Sequence, residues 1–263
     1  MEVISWNDFT NGSIKEMGSV SITIGVFDGI HKGHQYIFSN IVNDKYKKSV
    51  VITFKNNPRI FFNDKSYPGD LFSIKQKLET LSSLGIDIVI LIDFSYNFSK
   101  LTGKEFLNLI ADNCEINHIL LGDNFRCGHN GMTTSYEAVE ILKSKNVKVI
   151  IQDMTYLDNQ LISSTLIRKA ILGGNLEKAK NMLERVYSLD IADIPQIVRD
   201  ETIIIETKNI KQVLPPQGHY VVRIGSSTEM QVSNIKLNAL EIVIPLQKME
   251  KLDFIKFIQE EGR

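Results

Sequence analysis

Cysteine is nearly missing from this chain: Cys114 and Cys127 are the two it has, too few for a disulfide framework or a four-thiolate zinc site. A reducing, cytoplasmic setting is therefore expected. An excess of charge of one sign is missing as well. Lys and Arg number 30 against 31 Asp and Glu, a formal charge of -1, so no broad positive field exists to grip a nucleic-acid backbone. No apolar run reaches the ~18 residues that span a bilayer. The N-terminus, with Glu2, Asn7 and Asp8, lacks the basic segment and apolar stretch of a secretory leader. Neither a nucleic-acid nor a membrane partner is expected. No GxxxxGK[ST] loop and no GxGxxG occurs, which removes the usual support for P-loop hydrolysis and for dinucleotide-dependent hydride transfer. What is present is ordinary globular material, 43% hydrophobic and 23% charged over 263 residues, enough for one large domain or for one medium and one small domain.

Short β-branched runs alternate with helical patterns from Ser21 to about Val186. Strands are predicted at 21–27, 49–53, 86–91, 118–122 and 147–151; their runs are apolar without strict alternation, as in a parallel sheet covered on both faces. Ser73 with Gln76, and Thr102 with Glu105, have capping-box spacing ahead of periodic apolar runs. The expected fold class is α/β: an open parallel Rossmann-like sheet, with ligands at the carboxyl ends of its strands near a switch point. After Val186 the rhythm changes. Strands are predicted at 202–207, 219–224 and 240–244, separated by turn residues such as Pro215, Pro216 and Gly218. Apolar residues at Met249, Leu252, Phe254, Ile255 and Ile258 predict a closing amphipathic helix over 248–260. The expected division is 1–187 and a smaller β-rich domain, 188–263, ending in that helix.

Three segments carry chemistry. Gly25-Val26-Phe27-Asp28-Gly29-Ile30-His31-Lys32-Gly33-His34 follows a strand and precedes an amphipathic run. His31 and His34 should thus sit at a strand-to-helix turn, where free N–H groups and the helix dipole favour an anion. Imidazoles three residues apart can both donate to phosphate oxygens, and Gly33 lets the backbone approach. A zinc site would need further ligands. The second segment is Ile162-Ser163-Ser164-Thr165-Leu166-Ile167-Arg168. There Ser163 or Ser164 can cap a helix, and Arg168 lies one turn on, a cluster suited to pyrophosphate or, more plainly, a cap beside a solvated arginine. In the third, Gly122-Asp123-Asn124-Phe125-Arg126-Cys127-Gly128, Asn124 can meet a nucleotide or its magnesium, Phe125 can pack on a ring and Arg126 can meet a phosphate. Thr53-Phe54-Lys55-Asn56-Asn57-Pro58-Arg59 ends another strand and reads equally as an Asn-Pro turn. Taken together, phosphate-binding groups on one rim without a Walker loop point to nucleotidyl transfer.

These residues resemble a known family. Gly25 to His34 is similar to the HxGH signature in the form found in prokaryotic FAD synthetases, and Ile162 to Arg168 resembles their ISSTxIR motif. Gly122 to Gly128 resembles a third motif, with Cys127 in place of its second aromatic. The resemblance covers about Ser21 to Tyr187. It implies an FMN adenylyltransferase that joins ATP and FMN into FAD and pyrophosphate with Mg2+. His31 and His34 would serve the ATP phosphates, and Ser164, Thr165 and Arg168 the departing β and γ phosphates. Asn124 would serve nucleotide and metal, and Gly25, Phe27, Asp28 and Gly33 would shape the ATP turn. Asn57, Pro58, Phe125 and Arg126 would face FMN. The alternatives are another HxGH small-molecule nucleotidyltransferase, or a non-catalytic flavin or nucleotide sensor. Two departures stand out. Asn56-Asn57-Pro58 replaces the family's Pro-His-Pro, and no Pro-Thr-Ala-Asn motif of the riboflavin kinase half follows Tyr187, which implies a kinase-dead remnant.

Overall fold

A computed structural model describes residues 1–13, 18–42, 47–226, 228–245 and 251–260. The predicted apolar runs become strands β2 (Val20–Ile24), β3 (Lys48–Phe54), β4 (Ile88–Ile92), β5 (Ile116–Gly122) and β6 (Lys148–Gln152), joined at the edge by β1 (Glu2–Ser5). All pair in parallel, in the order β1-β4-β3-β2-β5-β6. The middle strands are buried along their length, as Val50, Ile52, Ile88 and Ile90 show, which is why their sequences run apolar without alternation. The edge strand β1 and the short helix α1 (Trp6–Thr10) are not legible as periodic patterns; they are held by Ile4 and by Phe9, which enters the core.

The crossovers are helices α2 (Lys32–Val42), α3 (Pro58–Phe61), α4 (Ile74–Ser83), α5 (Tyr96–Lys100), α6 (Gly103–Asn113) and α7 (Ser135–Lys143). Both expected capping boxes form. Thr102 Oγ1 accepts from the Glu105 N–H while Glu105 accepts from the Thr102 N–H, and Ser73 and Gln76 make the same exchange. Thr134 and Glu137 form a further box at α7.

The chain gathers into two compact units, 1–67 with 77–161, and 68–76 with 162–263. This partition differs from a division at 187/188, and hydrogen bonding accounts for the difference. The strap 68–76 is bonded to later residues: the Asp70 N–H donates to Lys211 O, the Val213 N–H to Asp70 O, and Gln212 Nε2 to Leu71 O. Helices α8 (Ser164–Leu172) and α9 (Leu176–Leu183) pack on one another within the same unit.

The second unit carries an antiparallel seven-stranded sheet. Its strands are β7 (Ser188–Asp190), β8 (Ile197–Arg199), β9 (Thr202–Glu206), β10 (Gly218–Gly225), β11 (Met230–Leu237), β12 (Glu241–Pro245) and β13 (Phe254–Glu260), in the order β7-β13-β10-β11-β12-β9-β8. One face is buried through Tyr220, Val222, Ile224, Ile235, Leu237, Ile242 and Ile244. The predicted closing helix is corrected here: Phe254–Glu260 is a strand, paired with β7 and β10. Ile255 and Phe257 point inward while Ile258 is 40% exposed, a period of two that the apolar spacing 254, 255, 258 concealed. Residues 248–250 of that expectation lie outside the described residues.

Strand and helix make opposite demands on neighbouring positions. Phe257→Ala is expected to cost about 3–5 kcal/mol of stability, and Ile258→Ala less than about 1 kcal/mol, as measured by urea unfolding. A larger loss at 258 than at 257 would restore the helix.

Candidate active site

In the parallel sheet, β2 is followed by β3 on one side, whereas β5 returns to its other side. The β2/β5 boundary is therefore the topological switch point, the place beyond the strand carboxyl ends at which open α/β sheets bind their ligands. Gly25 to His31 leaves β2 at this place, and Asp123-Asn124 leaves β5 beside it.

The turn after β2 is strained. Phe27 has φ +48, Gly29 φ +78 and Ile30 φ +37. Left-handed backbone at two residues with side chains, one of them β-branched, costs on the order of 1–3 kcal/mol each and persists where surrounding contacts over-determine it. Those contacts are present. The Gly25 N–H donates to Ile52 O at 3.1 Å. Val26 O accepts from Thr53 Oγ1 at 3.0 Å and from the buried Lys77 Nζ at 2.9 Å, and Lys77 also donates to Phe54 O at 3.1 Å. The Phe27 ring folds back over Gly25, where an added Cβ would meet Phe27 Cζ at 2.9 Å. It meets His34 edge-on at 5.1 Å and Phe38 at 4.8 Å.

This scaffold aims the two imidazoles. The His31 and His34 rings are stacked, with centroids 3.6 Å apart and planes 20° apart. His31 is buried and His34 half-buried, at the first turn of α2, whose opening backbone bond runs from the Gln35 N–H to His31 O. A Cβ on Gly33 would lie 3.3 Å from Thr155 Oγ1 and 3.4 Å from the His31 ring, so Gly33 stands directly against the imidazole. Asp28 is buried in the same turn, 4% exposed.

On the β5 side the Asp123 N–H donates to Gln152 O and the Phe125 N–H to Gly122 O. Ser135 Oγ donates to Asp123 O, and the Tyr136 hydroxyl to Asp123 Oδ1 at 2.8 Å. That bond pushes the Tyr136 phenol above its ordinary range. Asn124 is exposed, and its Oδ1 lies 3.2 Å from where a Cβ on Gly122 would stand, a position that also faces Ile37 of α2 at 3.8 Å. Asn124 thus turns back along the switch point beside the histidine helix. Phe125 packs against the sheet core, Arg126 is exposed, and Cys127 pairs across a short ladder with Thr133.

Asn57 and Pro58 open a helix. Asn57 is the N-cap of α3, accepting from the Arg59 N–H, with Pro58 in the first turn. Arg59 is paired with Asp64 at 2.7 Å, and hydrogen bonds from Ser66 and then Arg59 hold the Asp64 carboxyl down at about 2. Beside α3 lies an aromatic shelf of Phe61 and Phe62, 39% and 59% exposed, both against Phe94 at 5.2 and 5.6 Å. Phe94 leads back to Phe54 at the end of β3.

In the second compact unit, Ser163 is the N-cap of α8, accepting from the Leu166 N–H. Ser164 opens the helix, Thr165 is exposed, and Arg168 is buried at 6% exposure with Nε on Gly69 O at 2.9 Å. The plain reading of a solvated arginine is thereby set aside. The histidines and Asn124 are brought to one rim of the parallel sheet, while Ser164, Thr165 and Arg168 form a separate group on the other unit.

Lys77, Tyr136 and the Phe61-Phe62-Phe94 shelf were missed from the sequence. Lys77 had a signal: Ile74, Lys77 and Leu81 stand at i, i+3 and i+7, so a lysine occupies the inward stripe of α4. Among the described residues no three of His, Cys, Asp and Glu come together to hold a metal.

Residues 13–166 match a family model described as FAD synthetase. A bifunctional riboflavin kinase/FMN adenylyltransferase of Buchnera aphidicola subsp. Schizaphis graminum is 36% identical over 183 residues, covering 67% of this chain and 59% of that protein. The protein of the same description from Buchnera aphidicola subsp. Acyrthosiphon pisum is 34% identical over 226 residues, covering 81% and 70%. The chain thus spans between 59% and 70% of the length of these two relatives. Among solved structures, a Streptococcus pneumoniae protein described as a macrolide-efflux protein superposes with a TM-score of 0.82 at 20% identity, covering 99% of this chain and 91% of that one. That likeness is one of fold. No helix among the described residues is long and apolar enough to cross a membrane.

Burial pushes the Cys127 thiol up to about 12, with the Glu137 charge adding to it, and burial takes Cys114 to about 12 as well. The thiolate is the reactive form. Iodoacetamide labelling of both thiols in the folded chain at about pH 8 is expected to run at least ~100-fold slower than in urea. Labelling of Cys127 at the unfolded rate would contradict the burial described.

Proposed function

The chain belongs to the FAD synthetase family, and we propose that it is an FMN adenylyltransferase, converting ATP and FMN to FAD and pyrophosphate. One observation carries this reading: the stacked His31–His34 pair at the start of α2, presented by a strained turn at the switch point. Such a turn offers ring N–H donors and the positive end of a helix dipole to one polyphosphate.

In the proposed reaction an oxygen of the FMN phosphate attacks the α-phosphorus of ATP. A new P–O bond forms as the bond to the β-phosphate breaks, and pyrophosphate leaves with the electron pair. The attacking phosphate is already ionised near neutral pH, so little general-base assistance is needed. Alignment and charge stabilisation supply the catalysis. His31 and His34 donate to the ATP phosphates, where charge grows as the α–β bond breaks. Gly25, Phe27, Asp28 and Gly33 shape the turn that holds them. Mg2+, when bound on the triphosphate, would neutralise part of that charge, and the exposed Asn124 carboxamide would give it one oxygen. Ser164, Thr165 and Arg168 receive the departing β and γ phosphates, with hydroxyls, the positive end of the α8 dipole and a guanidinium as the favourable groups.

Asn57, Pro58, Phe125 and Arg126 belong to the FMN side in this reading. The exposed Phe61 and Phe62 support it by offering a planar apolar face to an isoalloxazine ring. Residues 1–187 form the adenylyltransferase domain in the functional sense, and 188–263 a remnant without riboflavin kinase activity, since the Pro-Thr-Ala-Asn motif is missing from it. The substrates are small molecules in the cytoplasm. The near-neutral charge supports the exclusion of a nucleic-acid partner.

Incubation with ATP, Mg2+ and either FMN or riboflavin, followed by product separation, tests the reading. FAD and pyrophosphate are expected from FMN, and no FMN from riboflavin. His31→Ala and His34→Ala are each expected to lower kcat by ~100-fold or more. Tight nucleotide binding without pyrophosphate release, or turnover with a different phosphate ester only, would overturn it.

A further inference from the structure

Lys77 is a lysine in a place where lysines seldom occur: 6% exposed, on the inward stripe of α4 between Ile74 and the fully buried Leu81. Removing an ammonium from water is unfavourable unless strong acceptors replace the lost hydration. Here Nζ lies 2.9 Å from Val26 O and 3.1 Å from Phe54 O. These two carbonyls belong to the turn that leaves β2 and to the last residue of its parallel neighbour β3.

The choice of carbonyl matters. Val26 is the residue before Phe27, the first left-handed position of the turn that carries both histidines. Its oxygen also accepts from Thr53 Oγ1 at 3.0 Å, so a charged and a neutral donor converge on one acceptor at the entry to the strained segment. Fixing that peptide plane fixes where Phe27 departs. Phe27 in turn stands edge-on to His34, and His34 stacks on His31. The second carbonyl, Phe54 O, belongs to the residue whose ring leads to the Phe94 shelf. One buried ammonium therefore ties the histidine turn to the end of β3.

We propose that Lys77 is a positioning residue for adenylyl transfer: its ammonium holds the Val26 and Phe54 carbonyls and so sets the placement of His31 and His34. It does not touch substrate and exchanges no proton in the reaction. The proposal rests on the FMN adenylyltransferase reading for its kinetic consequence, and on the hydrogen bonds alone for its structural one.

The test combines steady-state kinetics, thermal melting and hydrogen exchange on wild type, Lys77→Met, Lys77→Arg and Thr53→Val. A misplacement of about 1 Å at reacting groups can cost on the order of 100-fold, so Lys77→Met is expected to lose ~100-fold in kcat. KM for ATP should stay within about threefold, because ground-state contacts to the nucleotide persist. Lys77→Arg, which keeps a buried donor cation, should recover at least ~10-fold of that loss, and Thr53→Val should lose ~10-fold in kcat while still melting cooperatively. Amide exchange over 25–31 should accelerate at least ~10-fold in Lys77→Met relative to the rest of the sheet.

A folded Lys77→Met enzyme with kcat within about threefold of wild type overturns the proposal, as does a lowered melting temperature with unchanged kcat. If Lys77→Met is recovered unfolded, Thr53→Val decides, and kcat within about twofold of wild type overturns the proposal. If wild type makes no FAD, the functional reading fails by itself, and the exchange data alone judge the clamp: unchanged protection over 25–31 removes it.

Discussion

The carbonyl of Val26 is the point on which the site depends. It accepts from Thr53 and Lys77 and lies directly before backbone that a free chain would avoid at Phe27 and Ile30. Without that anchorage the chain leaving β2 would relax into an ordinary extended or turn conformation, and the two imidazoles would disperse as independent rotamers. With it, a small volume at the start of α2 holds two stacked rings, the buried Asp28 side chain and the first turn of a helix. Strain of this kind is tolerated because the surrounding sheet is rigid: β2, β3, β4 and β5 are hydrogen-bonded in parallel and their middle residues are buried.

The same arrangement would let a chain with hardly any net charge hold the polyanion of the proposed reaction. No field of the whole molecule is required when donors converge locally, since an oriented group in a partly desolvated pocket is worth more than many solvated lysines. The polar groups of α8 follow the same economy on the other compact unit, where a capped N-terminus stands beside a buried guanidinium held on Gly69 O.

Much of this was legible in the residues. Parallel strands show themselves by unalternating apolar runs, and His31, His34 and Asn124 could be placed on one rim because each follows such a run. Other features left no periodic trace. The strand Met230–Leu237 alternates Ser233, Ile235 and Leu237 inward against Val232, Asn234 and Lys236, so its inward face includes a serine and its outward face a valine, which blurs the pattern. The closing strand Phe254–Glu260 has apolar residues at helical spacing and is a strand because β7 and β10 each offer it an edge. Propensity yields to tertiary pairing there. Lys77 was readable only as a charge in an apolar stripe, and its acceptors are carbonyls, which sequence never marks.

The central claim is that His31 and His34 act as one phosphate-binding pair, and side-chain 15N NMR of the histidines during titration with ATP tests it most directly. Both rings are expected to shift together and to saturate at one ATP concentration, while His118 and His219, placed elsewhere, stay still. Saturation of ATP binding with neither ring moved, or with one moved and the other unaffected, would contradict the account.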